Sequence, residues 1–239
     1  MNQFTACCRQ AGIGCPVNDA SRRAVSGWRA YAAASRCRIR VVELGAGVIP
    51  FAVVEREVRF LFQTVFSGRK AGHLIDFGGG TADGESQCHC AIREFIEETE
   101  TMYFANDPAQ ARRTEESVNR QIPVVASLFD ATLSDHPDWW RRRAPGSLLK
   151  PKDWKTFFIE VPYRDPVMMN LAWQDDRTGR FRKRRELIWI PAGELISIYA
   201  SNPERLWKRV RQLEGAPGLV RRIQRIKGRE PGSSEERLG

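Results

Sequence analysis

The apolar residues of the chain become β-like in pattern from Val41 onward. Two runs rich in Val, Ile and Phe, residues 46–54 and 58–66, predict neighbouring strands, and the charged triplet between them predicts a hairpin turn. A shorter apolar run, residues 73–77, predicts a strand that leads into the glycines at 78–80. Later apolar runs also predict strands, and these are residues 123–133, 154–163 and 186–190.

Helical spacing of apolar residues marks three other stretches. Residues 84–102 place Ala91, Ile92 and Phe95 on one face, which is expected to pack inward. A second helix is predicted to open after Pro191. Residues 203–227 predict a closing amphipathic helix that is interrupted at the glycines 215 and 218.

The outer face of the 84–102 helix carries three carboxylates, Glu94, Glu97 and Glu98. Residues three and four apart are neighbours on a helix, so each like-charged pair costs roughly 0.2–0.5 kcal/mol. A hard divalent cation with oxygen ligands would turn this repulsion into binding. The alternative is an acidic face that is only solvated surface.

This segment resembles the Nudix hydrolase box, G-x5-E-x7-R-E-U-x-E-E-x-G-U, in which U is a bulky aliphatic residue. Six positions agree with the box, and they are Gly79, Glu85, Arg93, Glu94, Glu97 and Glu98. Two positions depart from it: Glu100 stands at the glycine and Thr101 at the aliphatic residue. Because that glycine suits a left-handed C-cap, we expect this helix to run on toward Asn106.

The resemblance implies a single-domain α/β fold over residues 41–227, a Nudix-type α/β/α sandwich around a mixed sheet. It implies metal-dependent hydrolysis of a diphosphate linkage in a nucleoside diphosphate derivative or related polyphosphate, with Mg²⁺ or Mn²⁺ as cofactor. The implied metal ligands are Glu85, Glu94, Glu97 and Glu98. The implied catalytic residues are Glu97, Glu98, Arg93 and Glu186, with Arg93 orienting carboxylates and Glu97 or Glu186 acting as general base. The alternative function is a non-catalytic Nudix-fold module that binds a nucleotide or RNA.

Substrate binding is assigned to the glycine loop, through Gly79 and Gly80, and to a basic run before the last strand. That run comprises Arg182, Lys183, Arg184 and Arg185. It favours a highly anionic small molecule such as a dinucleoside polyphosphate or a diphosphoinositol polyphosphate, and it allows capped RNA without favouring it. The alternative is a solvated loop that keeps the protein soluble. A homodimer is left open.

Composition limits the other function classes. The formal charge is +9, but residues 1–40 contain seven arginines and one aspartate, so a balance of only +3 remains for the rest of the chain. Global charge is therefore a weak argument for nucleic-acid binding.

We expect residues 1–40 to be a disordered or targeting extension and residues 228–239 a polar tail. No apolar run is long enough to cross a membrane. We expect a cytoplasmic protein, or an organelle-imported one if the source is eukaryotic. No cysteine pair has C-x-x-C spacing, so we expect reduced thiols and no zinc site.

Overall fold

The computed structural model describes residues 43–143, 152–181 and 183–228. The predicted extension, 1–40, lies outside these ranges, as does the tail beyond residue 228. The strands of the described ranges are β1 (Glu43–Val54), β2 (Glu57–Val65), β3 (Phe77–Gly80), β4 (Trp140–Arg142), β5 (Lys152–Glu160) and β6 (Arg185–Pro191). The helices are α1 (Gln87–Glu98), α2 (Glu115–Asp135), α3 (Val167–Gln174), α4 (Ala192–Ser201), α5 (Lys208–Arg211) and α6 (Ala216–Lys227), with a 3-10 turn at Pro203–Arg205.

The strands form one mixed sheet in the order β4-β5-β1-β2-β6. β1 and β5 are parallel, whereas the other pairs are antiparallel. The long β1 shares one edge between two partners: its first half pairs with β3 and its second half with β2. This arrangement brings the glycine run of β3 against the centre of the sheet.

Helices cover both faces of this sheet. Side chains of a strand alternate between faces, so Leu61 packs into one apolar cluster while Phe60 and Phe62 pack into the other. The first cluster includes Phe95 of α1 and lies under α1, α2 and α3. The second lies under α4 and α6. The predicted α/β/α sandwich around a mixed sheet is therefore confirmed. None of the described helices is long and apolar enough to span a membrane.

Two of the predicted strands are wrong. Residues 123–133 are helical and lie within α2, because Val125, Phe129 and Leu133 recur at helical spacing and are buried together. Pro123 is accommodated inside this helix. The strand predicted at residues 73–77 instead begins at Phe77 and consists of the glycines themselves. β4 and α3 have no counterpart among the predicted elements.

The end of α1 also differs from the prediction. The helix stops at Glu98 with Thr99 as its C-cap and does not run on toward Asn106. Glu100 and Thr101 adopt left-handed backbone conformations, with φ of 52° and 62°. The chain thus keeps the left-handed turn that glycine usually makes, although it has glutamate at that position.

Candidate active site

The glycine loop lies directly over the carboxylates of α1. A methyl group at Gly79 would lie 2.2 Å from Glu94 Oε1, and one at Gly78 would lie 2.4 Å from the carbonyl oxygen of Ala46. Neither position has room for a side chain, because a Cβ atom cannot approach that closely. Ser86 begins α1 after the loop, since its hydroxyl accepts a hydrogen bond from the His89 amide at 3.1 Å. The glycines that were predicted to follow a strand are the last residues of β3, and the predicted helix follows them as α1.

Arg93 pairs with Glu85, which precedes α1, and with the glutamates of α1. Its guanidinium donates to both carboxylate oxygens of Glu85, at 2.8 and 3.0 Å, and to Glu94 Oε1 at 3.0 Å. It also lies 3.4 Å from Glu97 Oε1. Burial alone would raise the pKa of Glu85, but hydrogen bonds from Arg93 and from the Ala82 amide hold it below its ordinary value. Both carboxylate oxygens of Glu85 are therefore paired with Arg93, and the assignment of Glu85 as a metal ligand stays a prediction.

Glu98 occupies the junction between the loop, the sheet and α1. Its Oε2 accepts hydrogen bonds from the Gly78 amide and from Gln63 Nε2, both at 2.7 Å. Its Oε1 lies 3.2 Å from a guanidinium nitrogen of Arg185. Arg185 also donates to Gln63 Oε1. These contacts fix the orientation of the Glu98 carboxylate.

Glu94 and Glu97 complete the acidic face. Glu97 Oε2 lies 2.5 Å from Arg113, just before α2. The pKa of Glu94 is raised by burial and then by the charge of Glu98, although Arg93 opposes the shift. The acidic face thus has negative charge that its own cations do not fully neutralise.

The carboxylates of Glu94, Glu97 and Glu98 are the type of oxygen ligand that hard divalent cations prefer. Carboxylates at i, i+3 and i+4 share one helix face, and a bound cation would reduce the repulsion between Glu94 and Glu98. Within the described ranges, however, no three Asp, Glu, His or Cys side chains are gathered into a metal site as they stand. The metal assignment therefore stays a prediction.

A buried ion pair supports the loop from behind. Asp76 is fully buried, and its Oδ1 accepts a hydrogen bond from Arg209 Nε at 2.7 Å. Arg209 also donates to the Gly78 carbonyl oxygen at 2.9 Å and stacks over the ring of Trp154 at 4.3 Å. Burial raises the pKa of Asp76 although Arg209 opposes it. This pair was not predicted, because nothing in the sequence pattern links two residues so far apart in the chain.

Next to Glu98 is a pocket of about 440 Å³ with a cationic lining, which we call the basic pocket. Its charged residues are Arg69, Lys70, Lys183, Arg184, Arg185 and Glu98. The predicted basic run thus lies beside Glu98, apart from Arg182, which is outside the described residues. Arg69 and Lys70 were not predicted. They come from the connection between β2 and β3, and only the fold brings them to the basic run.

Glu186, predicted as a general base, is not brought to the carboxylates. Along β6, Arg185 reaches Glu98 and Leu187 joins the apolar cluster under α1. Glu186 lies between them, so strand alternation directs its side chain to the opposite face of the sheet. Glu97 is the predicted base that lies among the other carboxylates.

The two cysteines of α1 are in different states. Cys88 is disulfide-bonded, so the expectation of reduced thiols is wrong for this residue. Cys90 is a buried free thiol that donates to the carbonyl oxygen of Gly80 at 3.3 Å. Burial raises the pKa of Cys90 to about 11, so its sulfur remains protonated at neutral pH.

No protein-family model matches this chain, and no curated protein matches it. Among solved structures, the chain is similar to a C. elegans Ap4A hydrolase in a binary complex, with 14% identity, a TM-score of 0.41 and coverage of 77% of this chain and 96% of that chain. It is also similar to RenU, a Nudix hydrolase from M. Smegmatis, with 11% identity, a TM-score of 0.35 and coverage of 77% and 85%. The NUDIX domain of Shewanella oneidensis NrtR complexed with ADP ribose has 10% identity, a TM-score of 0.35 and coverage of 66% and 78%. Identities and TM-scores this low leave the function to be inferred from the side chains of the site.

Proposed function

We propose that this protein hydrolyses a diphosphate linkage, in a nucleoside diphosphate derivative or a related polyphosphate, by attack of water on phosphorus. The observation that carries the proposal is the position of Glu98, whose carboxylate binds the Gly78 amide and also lines the basic pocket. Oxygen ligands for a cation and cationic groups for phosphate therefore lie side by side. A phosphate anhydride needs both, because it carries several negative charges and must be attacked by water.

Mg²⁺ or Mn²⁺ is the proposed cofactor, and Glu94, Glu97 and Glu98 are the residues that would hold it. When bound, such an ion neutralises phosphate charge and lowers the pKa of a coordinated water. The raised pKa of Glu94 supports this assignment, because burial and the Glu98 charge leave its negative charge poorly balanced. We assign Glu85 to positioning Arg93, since both of its oxygens accept hydrogen bonds from that guanidinium.

The chain's own groups would move the proton and hold the phosphates. In the proposed step, the water oxygen bonds to phosphorus, its proton passes to Glu97, and the bridging P–O bond breaks. Arg185, which lies next to Glu98 in the basic pocket, would retain the departing phosphate. Gln63 and the Gly78 amide would keep the Glu98 carboxylate oriented throughout.

The test is a panel of nucleoside diphosphate derivatives and dinucleoside polyphosphates, assayed for phosphate or nucleotide release with Mg²⁺ or Mn²⁺. Glu98→Gln keeps an acceptor for the Gly78 amide but loses the charge, so turnover should fall by about 100-fold or more. Glu116→Gln is the matched control, because Glu116 is exposed on α2, where it pairs with Arg120. Absence of turnover on every compound, or an unimpaired Glu98→Gln variant, would remove the hydrolase proposal.

One observation favours the alternative, a nucleotide- or RNA-binding module without catalysis. Both oxygens of Glu98 already have protein partners, since Gln63 and Gly78 bind one and Arg185 the other. A ligand-binding protein could use such a neutralised carboxylate purely for structure. Tight nucleotide binding without turnover, equal in the native protein and in Glu98→Gln, would support the module. Salt-sensitive RNA affinity that survives Glu98→Gln would support the RNA form of it.

A further inference from the structure

The basic pocket holds more positive charge than its neighbours balance. Glu98 is the acidic residue of its lining, and Arg185 already pairs with it. Arg184 donates to a neutral group, the carbonyl oxygen of Asp176, at 3.2 Å. Within the described ranges, Arg69 and Lys183 form no ion pair. The pocket therefore has surplus charge that a diphosphate bound at the carboxylates alone would not use.

The surplus comes from two separate segments that the sheet brings together. Arg69 and Lys70 lie in the β2–β3 connection, whereas Lys183 and Arg184 precede β6. β2 and β6 are antiparallel, and Val65 at the end of β2 pairs with Arg185 at the start of β6. The connection then folds back, because Val65 also bridges to Ala71. Cations thus face each other across a pocket whose volume is in the range of small-molecule sites.

Lys70 is the cation most affected by this crowding. It is half-buried, and its Nζ lies 5.7 Å from the centre of the Trp207 ring. Burial lowers the pKa of Lys70, and the charges of Arg209 and Lys183 lower it further, although Glu98 and Asp76 oppose the shift. An anion bound between Lys70 and Lys183 would stabilise the charged form of Lys70 and reduce its repulsion from the neighbouring cations. The groups on both walls therefore point to the same ligand chemistry.

We propose that the basic pocket binds additional phosphates of the substrate, so that the protein prefers compounds with three or more consecutive phosphates. Lys70 and Lys183 are the specificity-determining residues, one on each wall. The inference rests on the proposed function for the cleavage itself, but phosphate-chain binding does not require cleavage. Preference should appear as an affinity that rises with phosphate-chain length.

The probes are inorganic pyrophosphate, tripolyphosphate and tetrapolyphosphate, titrated calorimetrically into the full chain with EDTA present so that no divalent ion contributes. We expect tripolyphosphate to bind about tenfold more tightly than pyrophosphate, because each further phosphate gains charge-assisted hydrogen bonds. Lys183→Gln and the pair Lys70→Gln with Lys183→Gln should weaken tripolyphosphate binding by about tenfold more than pyrophosphate binding, so that the gain with chain length is lost. Lys183 is exposed, so its single variant is expected to fold normally.

Lys208→Gln is the matched control. Its Nζ lies 5.6 Å from the same Trp207 ring, almost the distance of Lys70, but it does not line the basic pocket. The control should keep the full chain-length preference. Equal affinity for all three probes in the native protein would overturn the proposal. So would a Lys70 and Lys183 variant that weakens pyrophosphate as much as tripolyphosphate, or a Lys208→Gln variant that behaves like it. Because turnover is not measured, loss of catalysis in Glu98→Gln tests the proposed function separately.

Discussion

Gly79 is the residue at which backbone and carboxylate come closest in the candidate site. A methyl group there would lie 2.2 Å from Glu94 Oε1, so Glu94 would have to move. We expect Gly79→Ala to lower the free energy of unfolding by about 1–3 kcal/mol, the usual cost of overpacking. It should also reduce turnover, because the displaced carboxylate belongs to the proposed metal site. Thermal unfolding and steady-state kinetics would measure the two effects.

Gly193→Ala is the control for this change. Gly193 lies in the first turn of α4, and a methyl group there would meet nothing within 4 Å. The control should leave both stability and turnover near the native values. If Gly79→Ala behaves in the same way, the close packing of Glu94 under the loop has no role in the site.

At the same scale, the sequence supplied part of the site. Glu94, Glu97 and Glu98 are local neighbours on one helix, so their spacing alone predicted a shared face. Gln63, Lys70 and Arg209 could not be found in this way, because they reach Glu98 or its loop only through β-pairing and helix packing. The strand period explains why Glu186 does not lie with the carboxylates: a shift of one residue exchanges the face of the sheet, and Arg185 is the residue that reaches Glu98.

Among the elements, α1 has an acidic face whose carboxylates repel one another and so destabilise the helix. The folded-state pKa of Glu94 lies above its ordinary value of 4.5, because of burial and then Glu98. Its contribution to stability is therefore complete below pH 4.5 and is lost as the pH rises through the folded-state pKa. Ionisation of this carboxylate therefore lowers the stability of the folded chain, and a divalent ion would be the group that compensates.

We therefore expect Glu94→Gln to raise the free energy of unfolding at pH 7 in EDTA by roughly 0.5 kcal/mol, the repulsion of one or two like-charged pairs. The difference should disappear below about pH 4.5, because native Glu94 is then protonated. Denaturant unfolding from pH 4 to pH 8 would measure it. Glu116→Gln should give no gain, since Glu116 pairs with Arg120 on an exposed helix face. A Glu94→Gln protein less stable than native at pH 7 would contradict this account.

Helices and strands were predicted correctly where the apolar periodicity was clear, and the prediction was wrong where the apolar run was too short to show its period. Residues 123–133 are an apolar run without visible alternation, and their helical repeat emerges only when Val118 and the residues up to Leu133 are taken together. The end of α1 was predicted wrongly because Glu100 is a residue type that rarely adopts the left-handed conformation seen there. Packing of Glu100, Thr101 and Met102 into the interior accounts for that turn, because all three are buried there. Local propensity cannot report such burial.

In the whole molecule, the pairing of the strands determines which side chains of the candidate site come into contact. β1 pairs with β3 at one end and with β2 further along, so the glycines of β3, the start of β6 and the end of α1 meet at Glu98. Apolar clusters on both faces keep these elements fixed relative to one another. A ligand that binds at this convergence would bind only the folded chain. Its effect should therefore appear in global unfolding as well as at the site.

Divalent-metal binding should therefore stabilise the whole fold. At a metal concentration ten times the dissociation constant, the free energy of unfolding should rise by about 1.4 kcal/mol. For a domain of this size that is an increase of about 4 °C in the unfolding temperature. Differential scanning calorimetry with Mg²⁺ or Mn²⁺ would measure the shift, and EDTA should reverse it. Glu98→Gln should lose most of the shift and Lys208→Gln should keep it, because only Glu98 belongs to the acidic face. If the metal stabilises Glu98→Gln as much as the native protein, the ion binds elsewhere, and the carboxylates of α1 lose their proposed role.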